Sequence, residues 1–269
     1  MGNALFVVWR ESVEAMLIVG ILHAWLAQND SGRDRIRALW LGVAAGIGLA
    51  LALGWAMLAA QGQLAGETLE WFQTAIVFIA AGLITQMVFW MQTHGREMKQ
   101  SLERDVARAA ERSGSFGIAA IAALAIAREG AETVIFLYGL GLENNSVAAL
   151  MIGGTTGLLL AAATAWVVGR GLRFLNYRRF FRATGFVLLL FAAALLVTGV
   201  DRLIGMGWLP SLVDPVWDSS ALVDDGSAIG ALLSALTGYR ARPSLMLVAT
   251  YVAYWVGVIL VQRRDIRHA

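Results

Sequence analysis

Residues 38–60 read ALWLGVAAGIGLALALGWAMLAA, without a single charge. At about 1.5 Å of helical rise per residue such a run is about 35 Å long, enough to cross a hydrocarbon core of roughly 30 Å. It is one of seven apolar stretches, at roughly 4–27, 38–60, 69–92, 116–140, 147–169, 181–203 and 244–262. The composition agrees. Of 269 residues, 58% are hydrophobic and 15% charged, whereas a soluble domain carries roughly 25% charged residues. That excludes a soluble enzyme, a nucleic-acid binder and a disordered regulator. With 29 glycines, 3 prolines and no cysteine, the chain fits closely packed membrane helices and has no thiolate chemistry. Arg10, Glu11 and Glu14 interrupt the first span, which has no basic leader, so it does not read as a cleavable signal peptide. The expected fold class is an all-α, multi-pass integral membrane protein.

Charge placement orients the seven expected spans. Sixteen of the 21 Lys and Arg residues fall after spans 1, 3, 5 and 7, and the alternate loops contain only Arg240 and Arg242. The excess of positive charge in cytoplasmic loops then puts the N-terminus outside and the C-terminus in the cytoplasm. Trp9 and Trp71 fall near outer boundaries, and Trp25, Trp40, Trp90 and Trp166 near inner ones. Residues 94–113 read as a polar, charge-mixed helix solvated on the cytoplasmic side. Within the last outer loop, Ala221–Leu236 reads as a short helix on the membrane face.

The chain also repeats itself. Arg10-Glu11-Ser12-Val13-Glu14 in span 1 recurs as Arg128-Glu129-Gly130-Ala131-Glu132 in span 4. Gly42, Gly46 and Trp55 recur as Gly153, Gly157 and Trp166, each offset by 111. Three spans separate the copies, so they run in opposite directions. The expected organisation is a single permease domain over 1–269, a 3+3 inverted repeat plus one extra helix. Repeat 1 covers about 4–92, a connector 93–115, repeat 2 about 116–203, an outer loop 204–243 and span 7 244–262. Inverted repeats put the transport site at their interface.

Six ionisable residues in two apolar helices are costly, at about 2.5–3.5 kcal/mol each near a helix centre. Within each copy the two Glu at i and i+3 share a face, with Arg four residues before the second. A pair of buried salt bridges locking span 1 to span 4 is one reading. Buried ion pairs make poor glue relative to apolar packing, and two arginines leave about two negative charges of four carboxylates unbalanced when all ionise. The other reading is a cation site. Carboxylates suit hard cations, and the absence of Cys argues against a soft-metal centre.

Two R-E-x-x-E helices in a seven-span chain resemble the high-affinity iron permease family, the oxidase-dependent iron transporters of yeast and their bacterial Efe-type relatives. The likeness covers nearly the whole chain and extends to Met87-Val88-Phe89-Trp90-Met91, Ala127-Arg128-Glu129-Gly130, and Gly238-Tyr239 before Pro243-Ser244. Ser12 stands where the commoner pattern has Gly. The resemblance implies a transporter of the cytoplasmic (inner) membrane that imports iron after oxidation to the ferric state outside. Iron is then the substrate, no cofactor is expected, and an extracytoplasmic iron-oxidising or iron-delivery protein is an expected partner beside membrane lipids. The implied iron ligands are Glu11, Glu14, Glu129 and Glu132, flanked by Arg10 and Arg128.

Glu67 and Glu70 form an E-x-x-E at the outer mouth of span 3, where the resemblance suggests iron is accepted; a solvated helix N-terminus explains them equally well. Asp214, Asp218, Asp224 and Asp225 give the last outer loop a negative field, but Asp218-Ser219-Ser220-Ala221 does not match the yeast Asp-Ala-Ser-Glu pattern. His23 reads as a hydrogen-bonded interior residue, or else an exit-side ligand or proton carrier, and the nine methionines read as core filling. Competing functions are a permease for Pb²⁺, Mn²⁺ or Fe²⁺, and a membrane di-iron oxidase. The oxidase chemistry typically needs Glu-x-x-His pairs, and no Glu here has a His three residues later.

Overall fold

In a computed structural model, residues 2–29, 33–94, 98–143, 147–169 and 177–268 are described, and no strand occurs among them. The helices are α1 (Gly2–Gln28), α2 (Arg33–Gln63), α3 (Gly66–His94), α4 (Met98–Glu143), α5 (Val147–Gly169), α6 (Tyr177–Gly205), α7 (Ala228–Thr237) and α8 (Leu245–His268). Five segments are apolar and long enough to cross a bilayer: Arg33–Gln63, Glu67–Gln92, Ala148–Val167, Ala183–Gly205 and Leu245–Arg263. The other two expected spans lie in α1 and α4, which have the length but carry the charged motifs.

The α6 segment is 72% buried by its neighbours, whereas those of α2 and α8 are 11% buried and that of α5 is 17% buried. Leu41, Trp55, Leu159 and Trp166 on α2 and α5 accordingly face outward. Against lipid, apolar burial gives little hydrophobic drive, so these helices must hold together by close packing of small residues. Gly46 and Gly157 show how. A Cβ on Gly46 would meet the Ala123 carbonyl oxygen, the Ile126 Cβ and the Ala127 nitrogen of α4 at 2.7–3.0 Å. On Gly157 it would meet the Leu5 oxygen, Trp9 nitrogen and Val8 Cβ of α1 at 2.5–3.1 Å. The two glycines thus meet the same three kinds of atom, at positions offset by 118 on the facing helix. The principal packing pairs follow the same rule. α2 lies on α4 and α5 on α1, while α1 meets α4 and α3 meets α6.

α4 is two helical arms, 98–113 and 115–143, joined at Gly114, whose φ of 55° and ψ of −134° lie outside the helical region. Positive φ is a conformation that glycine adopts without a Cβ penalty. The first arm corrects the expectation of a solvated connector. Val106 and Ala110 are buried, with partly buried Leu102, against Leu22, Leu26, Leu39, Ile118 and Ala122. These positions recur every four residues and form one helical face. Arg104, Asp105 and Arg108 occupy the exposed side.

The region after α6 is closed by backbone hydrogen bonds from Val216 N to Pro243 O, Ser219 N to Ala241 O and Leu245 N to Val213 O, each 2.8–2.9 Å. α7 begins at Ala228, seven residues after the expected start, because the chain before it is folded in turns. Ser227 caps it, accepting from Gly230 N at 3.0 Å, and Gly238 ends it in the left-handed region at φ 74°. α8 packs on α6.

Candidate metal centre

The R-E-x-x-E copies sit between two apolar clusters. One joins Val7 of α1 and Phe136 and Leu140 of α4 to residues of α3 and α6, among them Val88 and Leu188. The other joins Ile18, Leu22 and Leu26 of α1 to Ile118 and Ala122 of α4 and the 98–113 arm. Positions 10–14 and 128–132 fall between these clusters on both helices. The carboxylates are therefore enclosed by apolar side chains above and below.

Glu11, Glu14 and Glu129 converge there, each offering one oxygen, and these three atoms all lie within 4.8 Å of one another. All three residues are buried, at 1%, 8% and 5% exposure. Three atoms so placed share a point no farther than about 2.8 Å from each, close to the roughly 2.0–2.6 Å of hard-cation bonds to oxygen. Glu11 Oε2, Glu129 Oε2 and Glu132 Oε2 are buried without a hydrogen-bond donor, and Glu14 Oε1 has only its ion pair to Arg10. An unsatisfied buried acceptor costs about 1–3 kcal/mol, more when charged. Oxygens left free in this way are able to accept a cation.

Every ion pair described within the motifs is internal to its own helix. Arg10 Nη1 lies 2.8 Å from Glu11 Oε1 and Nη2 lies 2.7 Å from Glu14 Oε1. Arg128 Nε lies 3.0 Å from Glu132 Oε1 and 3.9 Å from Glu129 Oε1. The salt-bridge lock between spans weighed above does not occur among the described pairs. Carboxylates of α1 and α4 also face one another, and like charges repel unless something positive comes between.

The remaining candidates separate from this cluster. Glu67 and Glu70 stand exposed in the first turns of α3, and Glu67 accepts a long hydrogen bond from Trp71 Nε1 at 3.4 Å. His23 is exposed on α1, not an interior residue, because the buried face of that turn is taken by Leu22 and Leu26. Asp218 accepts from Ser220 N and Oγ and pairs with Arg242 Nε at 3.0 Å. Those donors hold its carboxyl down at about 2. Asp225 accepts from Ala241 N through both oxygens, so these two acids fasten the loop.

Three neighbours of the site, quoted from sequence only in the family likeness and the boundary pattern, were given no role at the motifs. The Arg10 guanidinium donates from Nη1 to Met87 Sδ and from Nη2 to Met91 Sδ, and Arg128 lies over the Trp90 ring at 5.2 Å. Trp90 therefore stacks on a motif arginine. The i, i+3, i+4 spacing of Met87, Trp90 and Met91 on one side of α3 was the available signal.

The family model for the iron permease FTR1 family matches residues 1–263. The chain belongs to the iron permease FTR1 family. Among its relatives, the ferrous iron permease EfeU of Escherichia coli O6:H1 is 31% identical over 261 residues, 94% of this chain and 92% of that protein. The protein of the same name from Shigella sonnei is 31% identical over 258 residues, covering 93% and 91%. That of Yersinia pestis is 27% identical over 256 residues, covering 94% and 90%. No solved structure matches the chain. This permease is a multi-pass membrane transporter and not an enzyme.

Proposed function

We propose that this permease imports iron across the cytoplasmic membrane through the site formed by Glu11, Glu14 and Glu129, completed by Glu132. The observation that carries the reading is the meeting of three buried carboxylate oxygens from two helices within 4.8 Å of one another. Arg10 and Arg128 each pair with glutamates of their own helix and offset part of the site's negative charge. The cation then takes up the negative charge that two arginines leave over. Seven spans, with the motif-bearing parts of α1 and α4 added to the five apolar ones, account for the placement. The loop charges put the N-terminus outside and the C-terminus inside. The matched contacts of Gly46 and Gly157 support a 3+3 inverted repeat whose interface holds the site. Glu67 and Glu70, exposed at the start of α3, gather cations at the outer mouth.

Two readings of the substrate part at its charge. The family resemblance implies Fe³⁺ formed outside by an extracytoplasmic oxidising partner. The relatives are named ferrous iron permeases, and with all four carboxylates ionised an excess of about two negative charges is balanced by one divalent ion, which favours Fe²⁺, with Mn²⁺ and Pb²⁺ as competitors. Uptake of radioactive iron by the purified chain in liposomes tests both. Replacing Glu129 by Gln should abolish uptake while leaving the folded protein intact, and wild-type uptake in that variant would remove the site. Activity with Fe³⁺ but not under reducing conditions supports the ferric reading; the reverse supports the ferrous one.

A further inference from the structure

The α3 segment Met87-Val88-Phe89-Trp90-Met91 touches both motif arginines. Met87 and Met91, 4% and 9% exposed, receive two donors of Arg10, and the Trp90 ring lies under Arg128. We propose that Met87, Trp90 and Met91 are positioning residues that hold the two arginines back from the free glutamate oxygens and so set the affinity of the cation site. The inference rests on the glutamate site proposed above.

The chemistry of the holders matters. A guanidinium has five N–H donors and cannot lose its charge in a protein. Arg10 directs one terminal nitrogen to Glu11 and the other to Glu14, and its remaining terminal donors go to sulfur. Thioether sulfur is a weak, uncharged acceptor. It occupies those donors without adding a negative charge that would bind Arg10 more firmly or attract the cation elsewhere. A carboxylate in its place would do both. On the second copy the π face of Trp90 attracts Arg128 in the same uncharged way. Remove these holders, and the released donors stand beside a carboxylate cluster whose oxygens Glu11 Oε2, Glu129 Oε2 and Glu132 Oε2 have no donor of their own. An arginine turned onto them competes with the cation for the same atoms.

This predicts a weaker apparent affinity with an intact turnover, since only binding is affected. The full-length chain is reconstituted in liposomes and uptake of radioactive iron is measured against concentration. Replacing Met87 and Met91 together by Leu keeps the volume and the apolar character but removes the sulfurs. The expected KM rises on the order of tenfold with Vmax within about twofold. Replacing both by Gln restores a neutral acceptor of similar length, and the KM returns to within about threefold of the unaltered chain. A merely structural role predicts the opposite order, with Leu harmless and Gln damaging; that order, or an unchanged KM in the Leu variant, overturns the proposal. The second arginine gives an independent arm that survives any folding failure of the first. Trp90→Leu should raise the KM by about threefold and Trp90→Phe, which keeps a π face, by less; equal values for the two would count against it. Uptake that persists in Glu129→Gln points instead to failure of the site itself. A defective Glu129→Gln beside kinetically unaltered α3 variants removes only the clamp.

Discussion

Arg10 and Arg128 hold the same place in two copies of Arg-Glu-x-x-Glu, yet the Arg10 side chain is 2% exposed and that of Arg128 50%. The difference lies in what α3 brings to each. α3 covers Arg10 with two thioethers and offers Arg128 only a ring face. Equivalent motifs in a repeated chain thus need not be equivalent charges. One arginine is part of the packed interior, and the other is only half enclosed by the protein.

That asymmetry gives the largest expected effect. Arg10→Leu leaves Glu11 and Glu14 buried with no cation on their own helix, a change that typically costs about 3–5 kcal/mol. Arg128→Leu removes a partner that the protein only half encloses and that makes a single close contact, to Glu132 at 3.0 Å, so the loss should be smaller. Thermal unfolding of both variants in one detergent should therefore place Arg10→Leu well below Arg128→Leu. Equal midpoints would mean that the two copies are alike after all.

The glycine contacts make the opposite prediction, of equality. Gly46 and Gly157 approach the same kinds of atom on their facing helices at nearly the same distances. Gly46→Val and Gly157→Val should each destabilise by about 1–3 kcal/mol, since overpacking cannot be relieved against backbone atoms. A large difference between the two would break the equivalence of α2 on α4 with α5 on α1.

The same contrast governs what could be read in advance. Glu11, Glu14 and Glu129 were legible because lipid penalises charge so heavily that a repeated charged motif stands out. Of the spans, the five uninterrupted ones were equally plain. Met87, Met91 and Trp90 were hidden because thioethers and an indole look the same whether they fill a core, sit in an interfacial belt or hold an arginine. Residues 98–113 misled in another way. Their charges suggested solvent, while the Leu102, Val106, Ala110 stripe, which decides what the arm packs on, amounts to only three side chains. His23 was misplaced because a single residue on a helix does not reveal which way its turn faces.

The smallest expected effect lies outside the membrane, where Asp218 contrasts with the buried glutamates. Its carboxyl is lowered to about 2 by Ser220 and Arg242, and because the group is fully exposed the pairing is screened. A carboxyl lowered on folding favours the folded loop at pH values above its ordinary range near 3.9, and that contribution disappears as the pH falls through about 2. Between pH 7 and pH 5 nothing should change. Titration of ¹³C-labelled aspartate carboxyls should find this group still ionised at pH 3, and Arg242→Ala should move it back toward the usual range. Iron uptake at neutral pH should be unaffected by Arg242→Ala, because Asp218 remains ionised there with or without its partner. A marked loss of uptake would mean that the loop carboxylate serves the cation path, and that charge in the loop after α6 contributes to transport beside the charge buried between α1 and α4.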